Sequence, residues 1–164
     1  MNIFAKNEKK TLELGKKIGE DLLAPCTIYL KGDLGSGKTY ISKGIAESLN
    51  ITEDITSPTF TIINEYFSEK NSNPIYHLYH LDLYRLDGLN TILDLGLEDF
   101  VNNDNTITII EWSEKLEDYK FTDNFIEITI TYRSDGRDFI INMDSYKNKL
   151  DLEKGLKELV NTWN

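Results

Sequence analysis

Apolar residues at Leu14, Ile18 and Leu22 recur every four positions across residues 9–23, with Leu12 beside them. This spacing predicts an amphipathic helix. Pro25 ends it, and the run Cys26, Thr27, Ile28, Tyr29, Leu30 has strand character. A glycine-rich turn follows, and Ile41, Ile45 and Leu49 mark one face of a second helix over 38–49. Residues 60–67 and 75–83 read as two strands, and the polar stretch 68–74 joins them as a hairpin. Residues 89–100 look like short helical pieces broken at Gly96. A strand over 106–110 ends in Glu111 and Trp112, after which Ser113 is expected to cap a short turn, 114–116. Strands at 125–133 and 138–143 flank Ser134, Asp135, Gly136 and Arg137, a strong hairpin signal. In the first of these Ile126, Ile128, Ile130 and Tyr132 share one face, and Glu127, Thr129, Thr131 and Arg133 the other. That alternation predicts a half-solvated antiparallel strand. From 145 to about 160 a charged helix offers Leu152, Leu156 and Leu159 for docking. Parallel-type units precede antiparallel hairpins, so the expected fold is α/β with a mixed central sheet and flanking helices.

The chain has 164 residues, the size of one domain. No repeat or linker divides it, so residues 1–164 are expected to form a single domain, with 145–164 as a C-terminal helical extension. Lys and Arg number 18 against 28 Asp and Glu, a net charge of −10. Such a surface repels phosphate backbones and disfavours direct nucleic-acid or membrane binding. The single cysteine, Cys26, excludes an intrachain disulfide and a cysteine zinc site. With no signal-type segment and no long apolar run, the expected compartment is the cytoplasm. The sequon Asn50-Ile51-Thr52 then reads as chance.

The chemistry concentrates in Gly32, Asp33, Leu34, Gly35, Ser36, Gly37, Lys38 and Thr39, which fit G-x-x-x-x-G-K-[ST] between a strand and a helix. Glycines let successive N–H groups wrap a phosphate, and the following helix aims its positive end at the same anion. Lys38 would supply a point charge to the β- and γ-phosphates, and Thr39 a hydroxyl to Mg²⁺. These residues, with the adjacent Tyr40, form the expected nucleotide-binding stretch of a P-loop NTPase-type domain. Mg²⁺ needs a carboxylate nearby. Glu111, at a strand end, is one candidate and Asp82 the other, although a solvated edge strand would also accommodate Asp82. His80 and Asp82 at i, i+2 lack a third ligand for a transition metal. His80 is therefore expected to be a hydrogen-bonded structural residue, with His77 solvated on the opposite face. For Ser57 and Thr59 two readings stand: a switch segment whose hydroxyl reaches Mg²⁺ or the γ-phosphate, or an ordinary turn at Pro58.

Read in order, GDLGSGKT (32–39), SPTFTIINEY (57–66), HLDLYRL (80–86), LGLEDF (95–100) and IIEW (109–112) resemble the TsaE family, bacterial P-loop ATPases of tRNA threonylcarbamoyladenosine synthesis. The resemblance spans roughly residues 11–137. It implies a cytoplasmic ATPase, with ATP and Mg²⁺ as cofactors, that binds the TsaD–TsaB heterodimer. Contact with tRNA would then be only indirect, through that complex. It also implies that Lys38 and Thr39 bind phosphate and Mg²⁺, that Asp82 stands near the γ-phosphate, and that Glu111 is the Walker-B-like Mg²⁺ partner. By the same resemblance Trp112 lies beside the site and Thr11 near the nucleotide base.

Three other functions compete. Asn148-Lys149-Leu150-Asp151 spells the guanine-reading N-K-x-D, but it sits in a helical stretch and no D-x-x-G accompanies it. A small-molecule kinase needs a lid with arginines, and the chain has only Arg85, Arg133 and Arg137. A non-catalytic ATP-dependent clamp would use the same residues as an ATPase.

Overall fold

The computed structural model describes residues 1–69, 77–101 and 103–163. Its strands are β1 (Asn2–Ala5), β2 (Cys26–Lys31), β3 (Ile63–Phe67), β4 (His77–Asp82), β5 (Thr106–Glu111), β6 (Phe125–Arg133) and β7 (Gly136–Asn142). Its helices are α1 (Glu8–Glu20), α2 (Lys38–Ser48), α3 (Gly88–Leu93), α4 (Glu98–Val101) and α5 (Lys149–Asn161), with a 3₁₀ turn at Ser113–Leu116. The strands form one seven-stranded sheet in the order β1-β7-β6-β2-β5-β4-β3. Its centre is parallel, β4 with β5, β5 with β2, and β2 with β6. Its margins are antiparallel, β3 on β4 and the β6–β7–β1 meander. The expected mixed α/β fold is borne out.

β5 is buried along its whole length and β2 at every residue but its last, Lys31, as expected of central parallel strands covered on both faces. Ile28, Leu78, Ile107 and Ile109 face a core shared with Leu14, Ile18, Ile41 and Ile45 of α1 and α2, and with Leu152 and Leu156 of α5. Tyr29, Leu81 and Ile110 face a second core with Ile92, Val101 and Leu116. α1 and α2 cross at glycines. A Cβ on Gly44 would lie 2.4 Å from the Leu12 carbonyl, and one on Gly15 would lie 2.4 Å from the Ile41 carbonyl. This close approach brings the first turn of α1 alongside the start of α2.

Several expectations change. β3 begins at Ile63, not at residue 60. Ile62 has a φ of 69° and donates its N–H to the Pro58 carbonyl at 2.7 Å, so 60–62 turn and do not extend. The β3–β4 hairpin forms, but 70–76, most of its connection, lie outside the described residues. β4 is an interior strand, which removes the solvated-edge reading of Asp82. β6 is not simply an antiparallel strand, because its first half pairs parallel with β2. That pairing stops at Thr129, so Tyr132, expected on the buried face, has only β7 beside it, opposite Arg137, and is exposed. Ser113 does not cap the turn. Trp112 occupies the cap position, and the Ser113 hydroxyl finds no partner among the described residues. β1, unassigned in the sequence, pairs with β7.

Candidate functional site

β2 runs directly into a glycine loop. Gly32 has a φ of 142°, and a Cβ there would lie 2.4 Å from the Ile130 carbonyl. Gly37, the N-cap of α2, is left-handed at φ 108°. Only glycine adopts both conformations readily. No side chain caps α2, so its first-turn N–H groups and the positive end of its dipole are free for an anion. Lys38, the first residue of α2, folds back over the loop. Its Nζ donates to the carbonyls of Gly32 at 2.5 Å and Asp33 at 3.0 Å, and stands 3.9 Å from the centre of the Trp112 ring. Lys38 is only 4% exposed. Burial pushes its pKa below the ordinary lysine value, while Glu111, Glu114, Asp82 and Asp33 pull the other way.

The opposing wall is built from the C-terminal ends of β4 and β5, where open α/β sheets place their crevices. Their parallel register sets Asp82 directly beside Glu111, and both are buried. Glu111 Oε1 accepts from Thr39 Oγ1 at 3.2 Å and lies 2.8 Å from His80 Nε2. Asp82 Oδ2 accepts from Ser57 Oγ at 2.7 Å and Thr59 Oγ1 at 2.6 Å, while Oδ1 accepts from the Tyr84 N–H at 2.8 Å. Trp112 follows at φ 59°, a left-handed conformation that costs a non-glycine residue energy. It lays the indole under Lys38 and against Tyr84, at 4.9 Å between ring centres. A cavity of about 530 Å³ opens between the two walls, within the usual range for small-molecule sites.

Of the residues singled out from sequence, Leu34, Gly35, Gly37, Lys38, Thr39, Tyr40, Ser57, Thr59, Asp82, Glu111 and Trp112 line this cavity. Gly32, Asp33 and Ser36 support it from behind, through the Lys38 hydrogen bonds and through the Ser36 carbonyl, which accepts from Arg137 Nε at 2.9 Å. Thr11 is not brought to the wall. It is buried in α1 with its hydroxyl on the Asn7 carbonyl. His77 is half-exposed beside Glu65, and His80 is fully buried. Sequence reading missed three lining residues, Glu8, Tyr84 and Arg137. In the sequence Arg137 stands out as part of a hairpin turn and as one of three arginines, neither of which points to this cavity. Its guanidinium reaches back to the glycine loop because β7 starts beside Gly37, and a Cβ on Gly37 would lie 2.9 Å from Arg137 Nε. The N-K-x-D stretch falls at the start of α5 and lines no part of the cavity. Among the described residues no group of three or more His, Cys, Asp or Glu is placed to hold a metal ion. A cation beside Glu111 would therefore complete its shell from hydroxyl, water and ligand oxygens, as Mg²⁺ does.

The family model for the threonylcarbamoyl adenosine biosynthesis protein TsaE matches residues 5–139. The chain belongs to the TsaE family. Among curated TsaE proteins, that of Nostoc is 43% identical over 137 residues, covering 82% of this chain and 80% of the relative. That of Haemophilus influenzae is 37% identical, covering 68% of this chain and 70% of the relative. Both relatives are tRNA threonylcarbamoyladenosine biosynthesis proteins by name. The crystal structure of Bacillus subtilis YdiB superposes on 100% of this chain and 96% of its own, with a TM-score of 0.67 at 27% identity. The chain's family role is thus in tRNA threonylcarbamoyladenosine biosynthesis, a tRNA modification. Among the described residues no helix is long and apolar enough to cross a membrane.

Proposed function

We propose that this TsaE-family chain is a cytoplasmic P-loop ATPase that binds Mg–ATP and supports the TsaD–TsaB heterodimer in forming threonylcarbamoyladenosine next to the tRNA anticodon. Contact with tRNA would be indirect, through that complex. The observation that carries the reading is the convergence of Lys38, the uncapped start of α2, and the Thr39–Glu111 pair on one cavity. The donor set fits the group: hard oxygens of Thr39 and Glu111 suit Mg²⁺, and the loop N–H groups with Lys38 suit a polyphosphate.

In this reading Lys38 exchanges its carbonyl partners for phosphate oxygens, and the Trp112 face keeps the ammonium over the loop. Thr39 and Glu111 would hold Mg²⁺, which offsets charge on the β- and γ-phosphates. Asp82 ties the Ser57 and Thr59 hydroxyls to the γ-phosphate end. Its buried carboxylate either orients the attacking water through those hydroxyls or holds Mg²⁺ through a water.

One observation favours the alternative of a nucleotide-dependent clamp. Both Asp82 oxygens already accept hydrogen bonds from the protein, two on Oδ2 and one on Oδ1, so most of its acceptor sites are committed and only Oδ1 keeps one for a water. Single-turnover hydrolysis with and without TsaD–TsaB separates the two. An ATPase releases phosphate in the partner complex and loses this in Lys38→Ala. A clamp retains intact ATP while its affinity for TsaD–TsaB still depends on the nucleotide.

A further inference from the structure

We infer that His80 is a positioning residue for the cation site: its Nε2–H fixes the Glu111 carboxylate, so that this oxygen pair meets Thr39 and Mg²⁺ in one orientation. The inference rests on the Mg–ATP reading of the cavity. His80 and Glu111 lie on the same face of neighbouring parallel strands. His80 is in register with Ile109, so its ring reaches diagonally to Glu111, two residues further along β5. The contact is 2.8 Å, and both side chains are buried. An ionised carboxylate only accepts hydrogen bonds, so Nε2 is the nitrogen that carries the hydrogen. The other nitrogen, Nδ1, is buried with no hydrogen-bond partner among the described residues.

These facts explain the residue type. The position needs one donor aimed across about one strand spacing, and that contact must outweigh the cost of burying the unpartnered Nδ1. The imidazole Nε2–H offers that donor. Lysine or arginine would bring three or five donors into the same space. Glu111 Oε1 is also the oxygen that accepts from Thr39. His80 and Thr39 thus grip one carboxylate oxygen from two sides and set the plane of the group. Outer partners of this kind fix the orientation of a metal ligand, and their loss commonly weakens metal affinity about 10–100-fold.

The test compares His80→Gln with His80→Asn in the full chain. Both amides are polar and smaller than imidazole. The Gln donor falls near the position of Nε2, whereas the Asn donor falls near Nδ1 and cannot reach Glu111. Mg²⁺ is titrated at fixed ATP by calorimetry, and thermal melting is followed for each protein. His80→Asn is expected to need at least about 10-fold more Mg²⁺ for half-saturation, with ATP binding in the absence of Mg²⁺ unchanged. His80→Gln is expected to stay close to wild type. In the metal-free wild-type chain, nitrogen-15 NMR of the imidazole should show Nε2 as the protonated nitrogen, a readout that needs no variant to fold. An unchanged Mg²⁺ requirement in folded His80→Asn, equal defects in Asn and Gln, or an Nε2 that carries no hydrogen would each overturn the inference. Absence of any Mg²⁺-dependent ATP binding by the wild type would instead overturn the reading of the cavity on which it rests.

Discussion

Asp82 and Glu111 stand side by side at the ends of β4 and β5, yet they are held differently. Glu111 is gripped on one oxygen, and Asp82 is hydrogen-bonded on both. Replacing Asp82 by Asn keeps an acceptor for the Tyr84 N–H and turns an amide toward hydroxyls that can accept, so the 57–62 loop stays anchored while the charge is lost. If Asp82 acts on the attacking water, Asp82→Asn binds ATP normally and hydrolyses it at least ~10²-fold more slowly in the TsaD–TsaB complex. A matching loss of ATP affinity would assign Asp82 to Mg²⁺ instead. Glu111→Gln should raise the Mg²⁺ requirement and weaken ATP binding less than Lys38→Ala does; an unchanged Mg²⁺ titration would remove Glu111 from the site. Away from the cavity, burial pushes the Cys26 thiol from 9.0 up to about 12. The folded thiol keeps its proton where the unfolded chain releases it, so this contribution to stability is intact below pH 9.0 and declines as the pH rises toward about 12. Thiol reagents should therefore modify Cys26 only as fast as the chain opens, which a colorimetric thiol assay alongside a denaturant series measures.

At the scale of elements, α1 and α2 are the pair that carries the glycine loop, and their crossing leaves no room for a side chain at Gly44. Gly44→Ala would press a methyl group onto the Leu12 carbonyl and should cost about 1–3 kcal/mol. Thermal melting would show this as a drop of several degrees, and an unchanged midpoint would mean that the helices can separate freely. The helix stripe of α1 was legible from Leu14, Ile18 and Leu22, because apolar spacing reports a buried face directly. The glycines opposite were not, since a close crossing depends on which helix lies across it. The same distinction holds along the sheet. The strand–glycine loop–helix unit and the Glu111 strand end followed from local pattern. The turn at Ile62 did not, because a β-branched residue at positive φ is held there by tertiary contact, its carbonyl accepting the Asp82 N–H at 3.0 Å. Arg137 reaches the cavity wall from the start of β7, 101 residues beyond the Ser36 carbonyl it donates to, a separation that no local pattern reports.

At the scale of the molecule, the chain carries a charge of −10, and its cavity sets Lys38 and Arg137 against Glu8, Asp82 and Glu111. The acidic surface discourages direct contact with tRNA and suits a protein that acts through a partner. Leu34 and Phe60, 82% and 81% exposed, stand on the two loops whose hydroxyls and carbonyls build the site. A nucleotide-dependent change in those loops would be presented to a partner at once. Whether the cavity holds Mg–ATP is tested by an equilibrium titration of the isolated chain with ATP, with and without Mg²⁺, for wild type and Lys38→Ala. The expected result is saturable binding that Mg²⁺ strengthens in the wild type, and no binding by a Lys38→Ala protein that melts like the wild type. Equal binding by both proteins, or no binding by a folded wild type, would contradict it.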